Sequence, residues 1–177
     1  MSEVMNTSNR DPDTNWRPYD ISLIADFFMR EKAIRFITES NLIEGIDRDP
    51  TQVEIECHID FLRKPTIRVL DLEQFVNVYQ PGALLREEVG RDVRVGNHIP
   101  PPGGISIFYA LEDLLVGIDD LTPYEAHCRY ETLHPFTDGN GRSGRMLWAW
   151  HMTKRGANVP SEFLRLFYYQ ALDEGRK

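Results

Sequence analysis

His134-Pro-Phe-Thr-Asp-Gly-Asn-Gly-Arg-Ser-Gly-Arg145 lies between two stretches of helical periodicity, and its reading decides the fold. The helix opened by Thr122 must end near Leu133, because Pro135 disfavours helical geometry at the residue before it. His134 therefore stands at a helix exit, where a side chain can face a cleft. Gly139-Asn140-Gly141 permits unusual backbone angles and the close approach of another molecule. A second helix then starts near Asn140 or Gly141 and runs to about Arg155, with Gly156 as its stop.

The same stretch carries chemistry. The first-turn N–H groups of the second helix are unpaired and bear about half a positive charge, which makes an anion site. Arg142 and Arg145 are three apart, so they share a helix face and can clamp successive phosphates. Asp138 stands just before the turn, where it can ligate a Mg²⁺ that bridges phosphate oxygens. An unperturbed histidine has a pKa of about 6.5, so a neutral imidazole at His134 is available to take a hydroxyl proton at pH 7. Each feature alone suits a structural role: His-Pro as a structural pair, Gly-Asn-Gly as a turn, the two arginines as a solvated face. Their occurrence together and in order is what points to a site.

Working outward, helical periods dominate. Ile21, Ile24, Ala25 and Phe28 share one face, and Ala33, Ile34 and Ile37 share another in a segment that runs to Glu44 and stops at Gly45. Asp49-Pro50-Thr51-Gln52 reads as an N-cap, a proline at the first helical position and a glutamine closing the cap. Thr122-Pro123-Tyr124-Glu125 repeats the device with glutamate. Ile105, Phe108, Leu111, Leu114 and Leu115 form an amphipathic helix after Pro100-Pro101-Pro102-Gly103-Gly104. Ser161 caps a last helix with Phe163, Leu164, Phe167 and Leu172. One stretch reads as strand: Val93, Val95 and Ile99 flank Gly96-Asn97, a two-residue turn. The expected architecture is mostly α with one small β-hairpin, preceded by a polar, flexible arm over residues 1–18, with a single domain over 19–177.

Composition narrows the partners. A net charge of −8 over 177 residues argues against a nucleic-acid or anionic-membrane partner. No apolar run approaches a membrane span and the start lacks an apolar signal core, so the expectation is a cytoplasmic protein. Cys57 and Cys128 lack metal-ligand spacing and read as reduced, partly buried thiols. His58, His127 and His151 are isolated on helical patterns and read as structural. Trp148, Trp150, Tyr168 and Tyr169 can belong either to the core or to an oligomer interface.

The stretch resembles the signature of the Fic family, His-x-Phe-x-(Asp or Glu)-Gly-Asn-Gly-Arg-x-x-Arg, at every fixed position. The resemblance extends over roughly residues 30 to 175. It implies an enzyme that transfers AMP from Mg·ATP to a Ser, Thr or Tyr hydroxyl of a protein. It also implies the roles. His134 would be the base, and Asp138 would hold Mg²⁺. Gly139, Asn140 and Gly141 would form an anion hole. Arg142 would bind the β-phosphate and Arg145 the γ-phosphate, while Phe136 would anchor the loop. Related toxins that act as kinases carry a basic residue where Asp138 stands, so Asp138 favours AMP transfer. Val93-Arg94-Val95-Gly96-Asn97-His98 resembles the family's flap, about residues 91–102. Its edge either docks a target backbone or is only structural.

A second constellation, Ser40-Asn41-Leu42-Ile43-Glu44-Gly45, is similar to the inhibitory helix of such proteins, (Ser or Thr)-x-x-x-Glu-(Gly or Asn), here about residues 31–45. Ser40 and Glu44 lie four apart on one helix face. The helix dipole opposes an anion at that end, which points to a cationic partner elsewhere. The resemblance implies that Glu44 pairs with Arg145 and restrains the enzyme. Removal of AMP by the same site, with Glu44 orienting a water, stays open, as does transfer of another phosphate-bearing group there. So do self-modification, homo-oligomerisation and a catalytically silent nucleotide-binding module; against the last, binding phosphates does not require a base.

Overall fold

Capping chemistry marks several of the helix starts, and the order of elements follows from it. The computed structural model describes residues 21–157, with side chains from residue 28 onward. The arm over 1–18, the helix opened by Ser161, and Tyr168 and Tyr169 lie outside the described residues. Six α-helices are present among the described residues: α1 Ile21–Ile43, α2 Gln52–Leu62, α3 Val69–Tyr79, α4 Ile105–Val116, α5 Pro123–Leu133 and α6 Asn140–Lys154. A short 3₁₀ turn, Ile118–Asp120, links α4 to α5. No helix among them is long and apolar enough to cross a membrane.

At α5 the Thr122 hydroxyl accepts from Glu125 N at 3.2 Å while the Glu125 carboxylate accepts from Thr122 N at 2.9 Å, the reciprocal box read from the sequence. At α2 the box forms later than expected. Thr51, not Asp49, is the cap, because Glu54 returns its carboxylate to Thr51 N at 2.7 Å and also binds Arg48. The two helical segments expected before Gly45 are one continuous α1. It ends at Ile43, so Glu44 and Gly45 sit in the turn that follows, with Gly45 at φ +75°. The short α3 carried no motif in the sequence reading. It starts where Asp71 accepts from Arg68 N at 2.8 Å. In α4 the buried face is Ile107, Leu111, Leu114 and Leu115, and Ile105 is exposed.

The expected hairpin is reduced to a turn. Val95 and His98 exchange backbone hydrogen bonds at 3.1 and 2.9 Å around Gly96-Asn97, and that single antiparallel bridge continues into no strand. A lone pair of short arms has no sheet to lean on.

The core gathers around α6. Met146, Leu147 and Trp150 are buried against Tyr130 of α5, Leu72, Phe75 and Val76 of α3, and Ile37 of α1. Trp150 is thus a core residue, anchored by its indole N–H to Lys64 O at 2.8 Å. His58 packs between Phe36 and Phe75, and burial pushes its pKa down to about 3, so it is a neutral core residue. Cys57 and Cys128 are free thiols.

Gly144 lets α5 and α6 approach closely. A Cβ there would meet Glu131 Oε1 and would lie 2.9 Å from Tyr130 Cδ1, inside contact distance of a fully buried ring. Gly144→Ala is therefore expected to destabilise by about 1–3 kcal/mol, the usual size of core overpacking. For a chain of this length that lowers Tm by roughly 2–10 °C, measurable by thermal denaturation followed by circular dichroism.

Candidate active site

The loop between α5 and α6 is buried at Pro135, Phe136 and Gly139, so backbone polar groups there need partners inside the protein. Asn140 supplies two of them. Its Oδ1 accepts from Phe136 N and its Nδ2 donates to Phe136 O, both at 2.8 Å. The side chain of Asn140 is therefore spent on loop shape, and only its backbone N–H is offered to a ligand at the start of α6. Phe136 itself is buried in the core. Ser143, which the sequence reading passed over, ties the same turn: its hydroxyl bonds Gly139 O at 2.9 Å and meets the Tyr130 hydroxyl at 2.6 Å.

Gly139 takes the left-handed conformation as N-cap of α6, φ +77°. A Cβ there would press to 3.3 Å from Val76 Cγ1. His134 is the one non-glycine residue at positive φ among the described residues, φ 49° and ψ 62°, as the C-cap of α5. Such a conformation stores about 1–3 kcal/mol and persists only where the surroundings hold it. Its N–H donates to Tyr130 O at 2.8 Å. The imidazole is 13% exposed, and its Nδ1 lies 3.8 Å from Glu131 Oε2, beyond hydrogen-bond length.

The two arginines of α6 share a face only at their Cα positions; their heads diverge. Arg142 reaches the end of α3, donating to Tyr79 O at 3.1 Å and to Gln80 Oε1 at 3.0 Å, with its guanidinium over the Tyr79 ring. Arg145 turns to the end of α1. Its Nε donates to the Ser40 hydroxyl at 2.8 Å, and its Nη2 donates to Ser40 O at 3.1 Å and to Glu44 Oε1 at 2.6 Å. The Arg145 side chain is 1% exposed and that of Glu44 is 33% exposed. A Cβ on Gly141 would strike the Glu44 carboxylate and approach Arg145 Nη1 at 3.0 Å. Ser40, Glu44, Gly141 and Arg145, distant in sequence, thus form one cluster at the start of α6.

Asp138 is exposed, and its Oδ1 accepts from Gly139 N at 2.6 Å. Among the described residues no group of three or more His, Cys, Asp or Glu side chains is arranged as a metal cage. A lone exposed carboxylate beside a helix N-terminus fits Mg²⁺, which keeps several waters and takes its other ligands from substrate phosphates. Val93, Arg94, Val95, Gly96 and Asn97 lie on the turn described above. His98 Nε2 meets Thr132 O at 2.9 Å, so the turn is tethered to α5 near His134. Arg86 is fully buried and was invisible in the sequence. It donates through Nε to His134 O at 2.7 Å and through Nη2 to Leu133 O at 3.0 Å.

The family model described as Fic/DOC family matches residues 61–152, from the end of α2 through α6, and leaves α1 outside the match. A Fic-1 fragment from C. elegans aligns with a TM-score of 0.57 at 21% identity, over 84% of this chain and 57% of that one. A Fic-domain-containing signalling protein from Bacteroides thetaiotaomicron aligns with a TM-score of 0.55 at 17% identity, over 92% of this chain and 75% of that one. At these identities the likeness is one of fold. The chain spans little more than half the length of the C. elegans protein chain.

Asn140→Ala would leave both Phe136 backbone groups unsatisfied in a buried loop. The expected loss is about 2–4 kcal/mol, from two orphaned polar groups at about 1–3 kcal/mol each with partial relaxation. Urea denaturation measures it, and faster amide exchange at Phe136 locates it; an unchanged midpoint would mean that the loop does not depend on this amide.

Proposed function

The chain belongs to the Fic/DOC family, whose members are known for AMPylation and related phosphate-group transfer, and on that premise we propose that it moves AMP from ATP to a protein hydroxyl. His134 takes the proton of a target Ser, Thr or Tyr. The hydroxyl oxygen attacks the α-phosphorus in line, the bond to the β-phosphate bridging oxygen breaks, and pyrophosphate leaves. Backbone N–H groups of Asn140 and Gly141 face the phosphates, and the Arg142 and Arg145 guanidiniums neutralise the outer ones. When bound at Asp138, Mg²⁺ would supply charge neutralisation on the phosphates. Most of the catalysis then lies in positioning rather than in covalent chemistry.

The observation that carries this reading is the burial of the Arg145 cation at the start of a helix, against one carboxylate from another element. Removing one partner of a buried ion pair costs about 3–5 kcal/mol, because the remaining charge is left uncompensated. Glu44 compensates Arg145 in this conformation. A γ-phosphate would do so in an open one, so carboxylate and nucleotide compete for a single guanidinium. Arg142 supports the same site: its Nε is buried without a hydrogen-bond partner among the described residues, a donor left over for an anion. In this scheme α1 is a brake, with Ser40 and Glu44 as its contacts and Gly45 as its stop. Removal of AMP is a second reading, favoured by the partial exposure of Glu44 beside Gly141, where its carboxylate can also hold a water.

Labelling with α-labelled ATP tests the proposal. Glu44→Gly is expected to raise incorporation into protein on the order of a hundredfold, the ratio for a brake closed about 99% of the time. His134→Ala in the same background is expected to abolish it, with pyrophosphate release lost in parallel. Equal labelling by the wild type and Glu44→Gly would remove the brake. Undiminished labelling by His134→Ala would remove the base.

A further inference from the structure

Arg86 holds more of the site together than any residue of the signature. Its backbone N–H donates to Pro135 O at 2.8 Å, its Nε to His134 O at 2.7 Å and its Nη2 to Leu133 O at 3.0 Å. His98 adds the next carbonyl back along α5, Thr132 O, at 2.9 Å. Carbonyls 132, 133, 134 and 135, the exit of α5, are thus all held from one segment, residues 86–98. Helix ends leave such carbonyls without intrahelical donors, so each contact fills a real vacancy.

The same guanidinium closes the base of the turn that projects from this segment. Arg86 Nη1 donates to Arg91 O at 3.3 Å and to Pro101 O at 2.9 Å, on either side of the Val95–His98 bridge. Arg91 returns to Leu85 O at 2.6 Å, and Asp92 accepts from Gly103 N at 2.7 Å. One planar fork therefore spans two loops, which lysine, with a single ammonium, cannot do. The consequence for His134 is specific. Its N–H on Tyr130 O sets φ, and its C=O on Arg86 Nε sets ψ. Between them they keep the strained left-handed cap that aims the imidazole.

We infer that Arg86 and His98 are positioning residues for His134, and that they couple the position of the 91–101 turn to the orientation of the base. The inference rests on the AMP-transfer reading for its catalytic consequence and on geometry alone for the coupling. In this arrangement whatever docks on the turn also acts on the base.

The test uses the full chain with Glu44→Gly as the active parent and adds Arg86→Lys, His98→Ala or His98→Gln. Arg86→Lys is expected to lower kcat on the order of a hundredfold, the size of a small misplacement of a catalytic group. The KM for ATP is expected to stay within about twofold, because the α6 N–H groups are untouched. His98→Ala is expected to lose roughly three- to tenfold in kcat and to speed amide exchange over residues 93–99 and 133–137, as for one lost hydrogen bond. His98→Gln keeps an N–H donor and is expected to restore both. A loss expressed in KM for ATP, or a His98→Ala variant matching its parent in rate and exchange, overturns the inference. Should Arg86→Lys fail to fold, the His98 pair decides. If the Glu44→Gly parent transfers no AMP, the proposed activity falls; exchange at 133–137 then still decides the coupling, faster in His98→Ala supporting it and unchanged overturning it.

Discussion

The backbone between Leu133 and Gly139 is largely buried in a helical protein, and a buried backbone group without a partner costs about as much as a lost hydrogen bond. Everything around the α5–α6 junction answers that constraint. Asn140 closes the loop on Phe136, Ser143 and Tyr130 tie its far end, and Leu84, Leu85 and Arg86 run antiparallel along it, with Thr137 N donating to Leu84 O at 2.9 Å. With these contacts the loop can hold His134 in a conformation that an unsupported chain would leave.

The second constraint is electrical. Arg145 is buried at the point where the N–H groups of α6 already concentrate positive charge. The end of α1 brings Glu44 and Ser40 to it. Positive charge from the guanidinium and from the helix start adds at that spot, so the same physics suits it to a phosphate or to a carboxylate. Arg142 obeys a milder version, giving one donor to Tyr79 O at the end of α3, where carbonyls lack intrahelical donors, and another to the Gln80 side-chain amide. A single structural requirement, compensation of buried guanidiniums, links α1, α3 and α6.

Local chemistry was legible before the structure. Thr122 and Glu125 closed the cap they spelled, Pro135 ended α5 at Leu133, and Gly156 followed α6 at φ +71°. Gly139, Asn140 and Gly141 fell at the start of α6, and Glu44 faced Arg145 across about a hundred residues because a family pattern, not a period, paired them. Other readings failed for identifiable reasons. Thr51 displaced Asp49 as a cap because Glu54 stands three residues after it and closes the reciprocal box. The hairpin shrank to one bridge because no neighbouring strand was present to extend it among the described residues. The α3 helix was missed because its apolar residues, buried on contact with α2 and α6, carry no distinctive start beyond Asp71.

Sequence alone determined the class, mostly helical, the place where two helices meet, and which residue types stand there, since caps, glycines and prolines act on their immediate neighbours. Tertiary structure decided where each side chain is spent. It sent the Asn140 amide to the loop, Arg142 to α3 and Arg145 to α1, and it chose Arg86 as the hub of the α5 exit. The reason is that a buried cation or carbonyl is satisfied by whatever group folding brings within about 3 Å, and that distance has no expression along the chain.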